Sequence, residues 1–176
     1  MEHIKLSPLI TEDQIQKRVS EIASQLTKQF KGKNLVAVGV LKGSFLFYAD
    51  LIRELGIDLT CDFCGTSSYG DSSSSSGEVK ITLDLQTSVK GKDVLLIEDI
   101  VDTGLTMNFL KKHIQNKGAK SITTAALLFK PEALKEKCEI DHVGFKVGND
   151  FVVGYGLDYQ GYFRQLPYVA RVENMN

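Results

Sequence analysis

Three carboxylates, two threonines and a glycine stand close together in Glu98-Asp99-Ile100-Val101-Asp102-Thr103-Gly104-Leu105-Thr106. The apolar run Val94-Leu95-Leu96-Ile97 leads into them. The pattern reads as a buried strand that carries acids to its carboxyl end, followed by a hydroxyl-and-glycine turn that opens a helix. In open α/β sheets, ligands lie in the crevice outside the carboxyl ends of the strands. A helix N-terminus offers unpaired N–H groups and the positive end of the helix dipole, both suited to phosphate. Gly104 lets the backbone come close to a ligand, and Thr103 and Thr106 can donate hydroxyl bonds. Glu98 and Asp99 would repel a phosphate but suit ribose hydroxyls or a Mg²⁺ ion. An ordinary turn with solvated acids is the competing reading. Two adjacent acids directly after an apolar strand, with a third three residues on, argue against it. The stretch lacks the Gly-Lys-Ser/Thr ending of a Walker A loop, and it is not a G-x-G-x-x-G dinucleotide turn.

The elements that must position this turn are legible from periodicity. Thr11-Glu12-Asp13-Gln14 has the form of a capping box. Ile15, Val19, Ile22, Ala23, Leu26 and Phe30 follow at helical spacing, and Gly32 ends the helix. Leu35 to Val40 is a continuous apolar run, as expected of a strand buried on both faces in a parallel sheet. Lys42-Gly43-Ser44 makes a turn into a second helix that runs to about Leu55. The segments from Ile57 to Thr66 and from Val79 to Gln86 alternate in polarity and predict half-buried strands. Ser67 to Gly77, with serines from Ser72 to Ser76, lies between them and predicts a mobile loop. A helix over Thr106–Lys117, a buried strand over Ile122–Phe129, a short helix over Pro131–Lys137 and late strands over Val143–Val147 and Phe151–Tyr155 complete the reading. Strand and helix alternate, which predicts an α/β fold with a mostly parallel sheet flanked by helices.

Composition narrows the function classes. A chain of 176 residues fits one domain, and it can bury roughly 70% of its unfolded surface without a disulfide or metal staple. With 21 Lys and Arg against 22 Asp and Glu the net charge is −1, so no global field draws it to nucleic acid or to an anionic membrane. No apolar run approaches the ~20 residues that span a bilayer, and no secretory signal is seen at the N-terminus. Three cysteines form no disulfide framework. The expectation is a cytoplasmic location. In Cys61-Asp62-Phe63-Cys64 the two cysteines are three apart on a strand, so they face opposite sides and cannot form one redox pair or metal clamp. His3, His113 and His142 show no ligand spacing.

Glu98-Asp99-Ile100-Val101-Asp102-Thr103-Gly104 resembles the phosphoribosyl-pyrophosphate signature of the type I phosphoribosyltransferases. From about Leu35 to Tyr168 the chain is similar to their 6-oxopurine branch, the hypoxanthine-guanine phosphoribosyltransferases. Five further segments carry the resemblance in family order: Leu41-Lys42-Gly43-Ser44, Ser67-Ser68-Tyr69-Gly70, Lys130-Pro131, Phe151-Val152-Val153-Gly154-Tyr155, and Leu157-Asp158-Tyr159 leading to Arg164.

The resemblance implies purine salvage: transfer of a phosphoribosyl group from phosphoribosyl pyrophosphate to hypoxanthine or guanine, with Mg²⁺ and release of pyrophosphate. It implies Asp102 as acid/base at the purine N7, and Glu98 and Asp99 at the ribose hydroxyls and the metal. Thr103, Gly104, Leu105 and Thr106 would cradle the 5′-phosphate. Many relatives carry Lys at the Leu105 position, so Leu105 removes a cation but leaves the backbone N–H. Lys42, Gly43, Arg164, Ser68 and Tyr69 would meet the pyrophosphate, with a cis peptide before Lys42. Lys130 would contact the purine 6-oxo group, Phe151 would stack on the base, and Val152 would offer backbone groups to its edge. Asp158 would be a further metal ligand. Residues 1–176 would form one domain, with 67–77 as a mobile lid and 140–176 plus N-terminal residues as a base-binding hood. The implied partners are small molecules and a second copy of the chain, as a homodimer or homotetramer.

Relatives often have proline before the Phe151 strand, where this chain has Val147-Gly148-Asn149-Asp150. That departure bears on base preference. A xanthine-preferring enzyme and a nucleic-acid-binding regulator of the same fold are the competing functions.

Overall fold

The computed structural model of the protein describes residues 4–68 and 79–173. The elements in chain order are β1 (Leu6–Ile10), α1 (Glu12–Phe30), β2 (Leu35–Leu41), α2 (Phe45–Glu54), β3 (Leu59–Ser68), β4 (Val79–Leu83), β5 (Asp93–Val101), α3 (Leu105–Asn116), β6 (Ser121–Phe129), β7 (His142–Lys146), β8 (Val152–Val153) and β9 (Val169–Val172). Six strands form the main sheet in the order β4-β3-β2-β5-β6-β7. β4 runs antiparallel at one edge, and the other neighbours are parallel. This is the mostly parallel sheet that the apolar runs predict.

Those runs are continuous because both faces of the sheet are covered. Leu35, Ala37, Leu95, Ile97, Ala125 and Leu127 share a core with α1 and α2. Val36, Val38, Val94, Leu96 and Ala126 share another with Met107, Leu110 and Ile114 of α3. Alternate residues of one strand thus serve opposite layers, as the two-residue period of a strand requires. The capping box of α1 is formed: Gln14 N–H donates to Thr11 Oγ1 at 3.3 Å, and Thr11 N–H donates to Gln14 Oε1 at 2.8 Å.

A second sheet, in the order β1-β9-β8, joins the two ends of the described chain by antiparallel pairing. The expectation of a leading helix omits β1, and it also omits β9. Their alternation is too short to stand out, and their partners are remote in sequence.

Other expectations need correction. Phe151–Tyr155 is a strand only at Val152–Val153, because Gly154, Tyr155 and Gly156 all take positive φ. Pro131–Lys137 holds a single 3₁₀ turn, Pro131–Ala133, after which the chain is irregular. Ser67 and Ser68 do not belong to a loop; they pair with Lys80 and Val79 of β4. The remainder of the serine loop, with Tyr69, lies outside the described residues. β3 is also not simply half-buried. Cys61 is exposed, Cys64 is buried, and Asp62, on the expected polar face, is buried as well. The Asp62 carboxylate accepts the backbone N–H groups of Phe63, Gln86 and Thr87 at 2.8, 3.0 and 2.7 Å. These bonds satisfy the buried charge and pin the segment that follows β4.

Asp84 ties the same segment to α3. Its carboxylate receives His113 Nε2 and Lys117 Nζ, each at 2.8 Å. Partial burial works against the charged form, yet the bonds from Lys117 and His113 outweigh it and hold the Asp84 carboxyl down at about 2. A carboxyl depressed on folding stabilises the protein above its ordinary 3.8, and that contribution fades as pH falls through about 2. The group is half in solvent, so the effect is small. Asp84→Asn therefore lowers the urea midpoint modestly at pH 7, and the gap to the parent closes by pH 2. A gap of equal size at both pH values would show that the clamp is not ionic.

Candidate active site

The carboxyl ends of β2, β5 and β6 meet at one edge of the main sheet, since all three run parallel. Each leads into a piece of the site. β2 leads into Lys42-Gly43-Ser44 and α2, β5 into Asp102-Thr103-Gly104 and α3, and β6 into Lys130-Pro131. Leu41–Lys42 is a cis peptide, as the resemblance implies.

α3 opens unlike α1. The N-terminus of α1 is closed by its capping box and carries Glu12 and Asp13 in its first turn. α3 has Gly104 at its N-cap with φ 82°, no side-chain cap and no acid in its first turn. α2 likewise begins without a side-chain cap or a first-turn acid. Both helices therefore direct unneutralised N-terminal dipoles at the same sheet edge. A depression of about 90 Å³ sits on the α3 turn, lined by Glu98, Ile100–Gly104, Thr106 and Met107. Thr103, Gly104 and Thr106 are thus brought together, and Leu105 N–H bonds Thr103 Oγ1 at 3.4 Å. Positive φ alone would favour glycine at 104, and packing adds to it. A Cβ there would lie 2.9 Å from Cys138 Cβ and 3.0 Å from Glu136 O. Behind the turn, Lys135 and Glu136 donate their N–H groups to Thr103 O at 3.0 and 3.4 Å. This buttress left no signal in the sequence, because a contact between distant segments has no periodicity.

β5 is longer than its apolar run and carries both acids within the strand. Val94 to Ile97 alternate between the two cores, but Ile100 and Val101 fall in the reverse order. The strand is thus irregular at Glu98-Asp99. Glu98 is buried, and its Oε2 has no hydrogen-bond partner. Burial pushes the Glu98 carboxyl well above its ordinary range, and the charge of Asp99 pushes the same way. Burial also raises Asp99, against opposing pulls from Glu98, nearby backbone N–H groups and Arg164.

A second cleft, of about 250 Å³, is lined by Asp99, Ile100, Asp102, Lys130, Phe151, Val152, Leu157 and Asp158. Lys130 is buried, with Nζ 4.0 Å from the half-exposed Asp102 carboxylate. Phe151 is exposed on one side and meets the edge of Tyr159, with ring centroids 5.7 Å apart. Asp158 is held by Gly161 N–H at 2.7 Å and by Arg164 Nη2 at 2.6 Å. Lys42 is exposed at its turn. Ser68 ends β3, and Tyr69 lies outside the described residues.

No group of three or more His, Cys, Asp or Glu side chains among the described residues could hold a metal ion by itself. The donors present still fit Mg²⁺, which is commonly bound through one or two carboxylates together with substrate phosphates. The partnerless oxygen of Glu98 and the neighbouring carboxylates of Asp99 and Asp158 supply such donors.

A family model described as the phosphoribosyl transferase domain matches residues 10–160. The hypoxanthine-guanine phosphoribosyltransferase of Bacillus subtilis (strain 168) is 48% identical over 170 residues, covering 97% of this chain and 94% of that one. The protein of the same name from Dictyostelium discoideum is 44% identical over 169 residues, covering 94% of each. The crystal structure of a hypoxanthine phosphoribosyltransferase from Staphylococcus aureus superposes with a TM-score of 0.91 at 44% identity, over 97% of this chain and 92% of that one. The chain belongs to the phosphoribosyltransferase family, as an enzyme of the type I fold.

The buried, unpartnered oxygen of Glu98 destabilises the metal-free fold. Glu98→Gln keeps the shape and can place an amide there without charge. Its thermal midpoint in chelator is expected to rise above the parent's by calorimetry. A fall would reveal a stabilising partner for the carboxylate.

Proposed function

We propose that the protein transfers the 5-phosphoribosyl group from phosphoribosyl pyrophosphate to hypoxanthine or guanine, giving IMP or GMP and pyrophosphate, in purine salvage. The observation that carries this reading is Lys130. Its side chain is buried and lines a cleft that also holds Asp102 and the exposed ring of Phe151, beside an uncapped helix N-terminus. The relatives named for the same bases support it.

On this reading the 5′-phosphate sits at Thr103, Gly104, Leu105 and Thr106, where helix N–H groups and two hydroxyls meet its oxygens. Glu98 and Asp99 hold the ribose hydroxyls. The purine lies against Phe151, with its edge on the backbone of Val152. Lys130 donates to the 6-oxo oxygen, which selects an oxo over an amino substituent because an ammonium has no acceptor. The C-terminal part from residue 140 with the N-terminal residues, which together carry the small sheet of β1, β9 and β8, forms the hood over the base.

The bond from the anomeric carbon to pyrophosphate breaks as the bond from the purine nitrogen forms. Positive charge develops on the sugar and negative charge on the leaving group. Asp102 accepts the proton from purine N7. Lys42, Gly43 and Arg164 meet the departing pyrophosphate, together with Ser68, at the end of β3, and Tyr69. Asp158, Glu98 and Asp99 would hold Mg²⁺ together with substrate oxygens, and the ion would supply charge neutralisation at the diphosphate. Residues 67–77, of which 69–77 lie outside the described residues, serve on this reading as the lid that keeps water from the cation. The enzyme works as a homodimer or homotetramer in the cytoplasm, where its substrates are soluble small molecules. No helix among the described residues is long and apolar enough to cross a membrane.

The test is base-dependent pyrophosphate release with phosphoribosyl pyrophosphate and Mg²⁺. Turnover with hypoxanthine and guanine is expected. Turnover with xanthine alone, or with none of the three bases, would overturn the proposal. Asp102→Asn is expected to lower kcat by about 10²–10⁴-fold, with little change in phosphoribosyl pyrophosphate binding by calorimetry. Equal losses in both would assign Asp102 to binding.

A further inference from the structure

Two glycine backbones meet where the segment after β8 approaches the turn after β2. A Cβ built on Gly43 would collide with the Asp99 carboxylate. A Cβ built on Gly156 would collide with the carbonyl oxygen of Gly43 and lie 3.1 Å from its carbonyl carbon. Asp99, Gly43 and Gly156 therefore stack in three layers with no side chain between the two glycines. The obstacle above Gly156 is backbone, so it cannot yield by a change of rotamer.

Gly156 is also gripped from its other side. Its N–H donates to Arg164 O at 2.9 Å, and its carbonyl accepts from Arg164 Nη1 at 2.6 Å. The same guanidinium reaches Asp158 through Nη2 at 2.6 Å. Next to it, Tyr155 Oη donates to Asp50 Oδ2 of α2 at 2.6 Å, and α2 is the helix that the Lys42–Gly43 turn begins. The segment is thus bonded to Arg164 and to α2 while it rests on Gly43.

We propose that Gly156 is a positioning residue, whose missing side chain seats the Lys42–Gly43 turn against the Asp158–Arg164 segment and so sets the width of the pyrophosphate site. This rests on the assignment of both segments to pyrophosphate given above. A side chain at 156 must move one of them away from the other. Asp99, Leu157 and Asp158 of the base cleft belong to the stack or adjoin Gly156, but Lys130 and Phe151, the two side chains assigned to the base, do not, so the base is expected to feel the change less than pyrophosphate.

The experiment is steady-state kinetics of Gly156→Ala with product inhibition by inorganic pyrophosphate. The KM for phosphoribosyl pyrophosphate is expected to rise about tenfold or more, as an ångström-scale misplacement can cost. Inhibition by pyrophosphate is expected to weaken in parallel, with the KM for hypoxanthine little changed. Gly91→Ala is the control for backbone strain, since Gly91 has φ 72° and nothing within 4 Å of an added Cβ. It is expected to lower the melting temperature and leave both KM values alone. An unchanged phosphoribosyl pyrophosphate KM in Gly156→Ala, or equal rises in both KM values, overturns the inference. If Gly156→Ala does not fold, Tyr155→Phe loosens the same segment by one hydrogen bond. It is expected to give the same split at about threefold, and equal changes in both KM values overturn the inference there too. Lys42→Ala separates the two levels. Unchanged pyrophosphate inhibition in Lys42→Ala overturns the site assignment itself. Weakened inhibition in Lys42→Ala with none in Gly156→Ala overturns only the role of Gly156.

Discussion

The parallel pairing of β2, β5 and β6 is the constraint on which the rest of the structure depends. Leu35 sits opposite Asp93, Asp93 opposite Ser121, and the register holds for residue after residue along the strands. Parallel neighbours require crossover connections: α2 joins β2 to β3 and α3 joins β5 to β6, while β6 reaches β7 through a 3₁₀ turn and irregular chain. Helices on both faces bury both faces, so the central strands are mostly apolar and the polar residues that remain, such as Asp62 and Glu98, are buried. The same geometry ends the three strands at one edge, where the chain leaves toward α2, α3 and Lys130. Carboxylates, helix N-termini and a buried ammonium gather there because the topology permits no other place for them.

Electrostatics at that edge is settled by burial as much as by charge pairing. Glu98 is buried beside Asp99, and both carboxyls are pushed up by loss of water. Asp84 has a similar kind of side chain but is half exposed and clamped by Lys117 and His113, and its carboxyl is held low. Desolvation wins where no cation is in contact, and hydrogen bonds from cations win where water is also near. The near-neutral net charge therefore hides a local concentration of both signs, with Glu98 and Asp99 in β5 and with Arg164 and Lys130 facing Asp158 and Asp102.

The two sheets meet through small residues and irregular backbone. Gly154, Tyr155 and Gly156 turn the chain with positive φ directly after β8. A Cβ at Gly154 would collide with Tyr168 O, as one at Gly156 would with Gly43 O. Close backbone approach here needs glycine for want of space as well as for φ. In the fold these glycines are contact points.

How much was legible depended on the range of the interaction. The cap of α1, its apolar stripe, the continuous strands and the acidic turn into α3 are all set by residues a few positions apart, so periodicity and residue type determined them without a structure. The order of the family's segments along the chain likewise identified the enzyme class. β1 and β9 escaped because each is stabilised by the other across most of the chain. The strand expected at Phe151–Tyr155 was cut short by left-handed residues whose conformation is held by Leu166 and Arg164. Asp62 falls on the polar side of a strand expected to be half-buried, yet the Gln86–Thr87 backbone that follows β4 donates to its carboxylate and it is buried. Residue types and local spacing thus determined what chemistry the chain can carry. Which carboxylate loses its water, and which glycine bears on which loop, was decided by tertiary packing, because both depend on neighbours that sequence distance does not reveal.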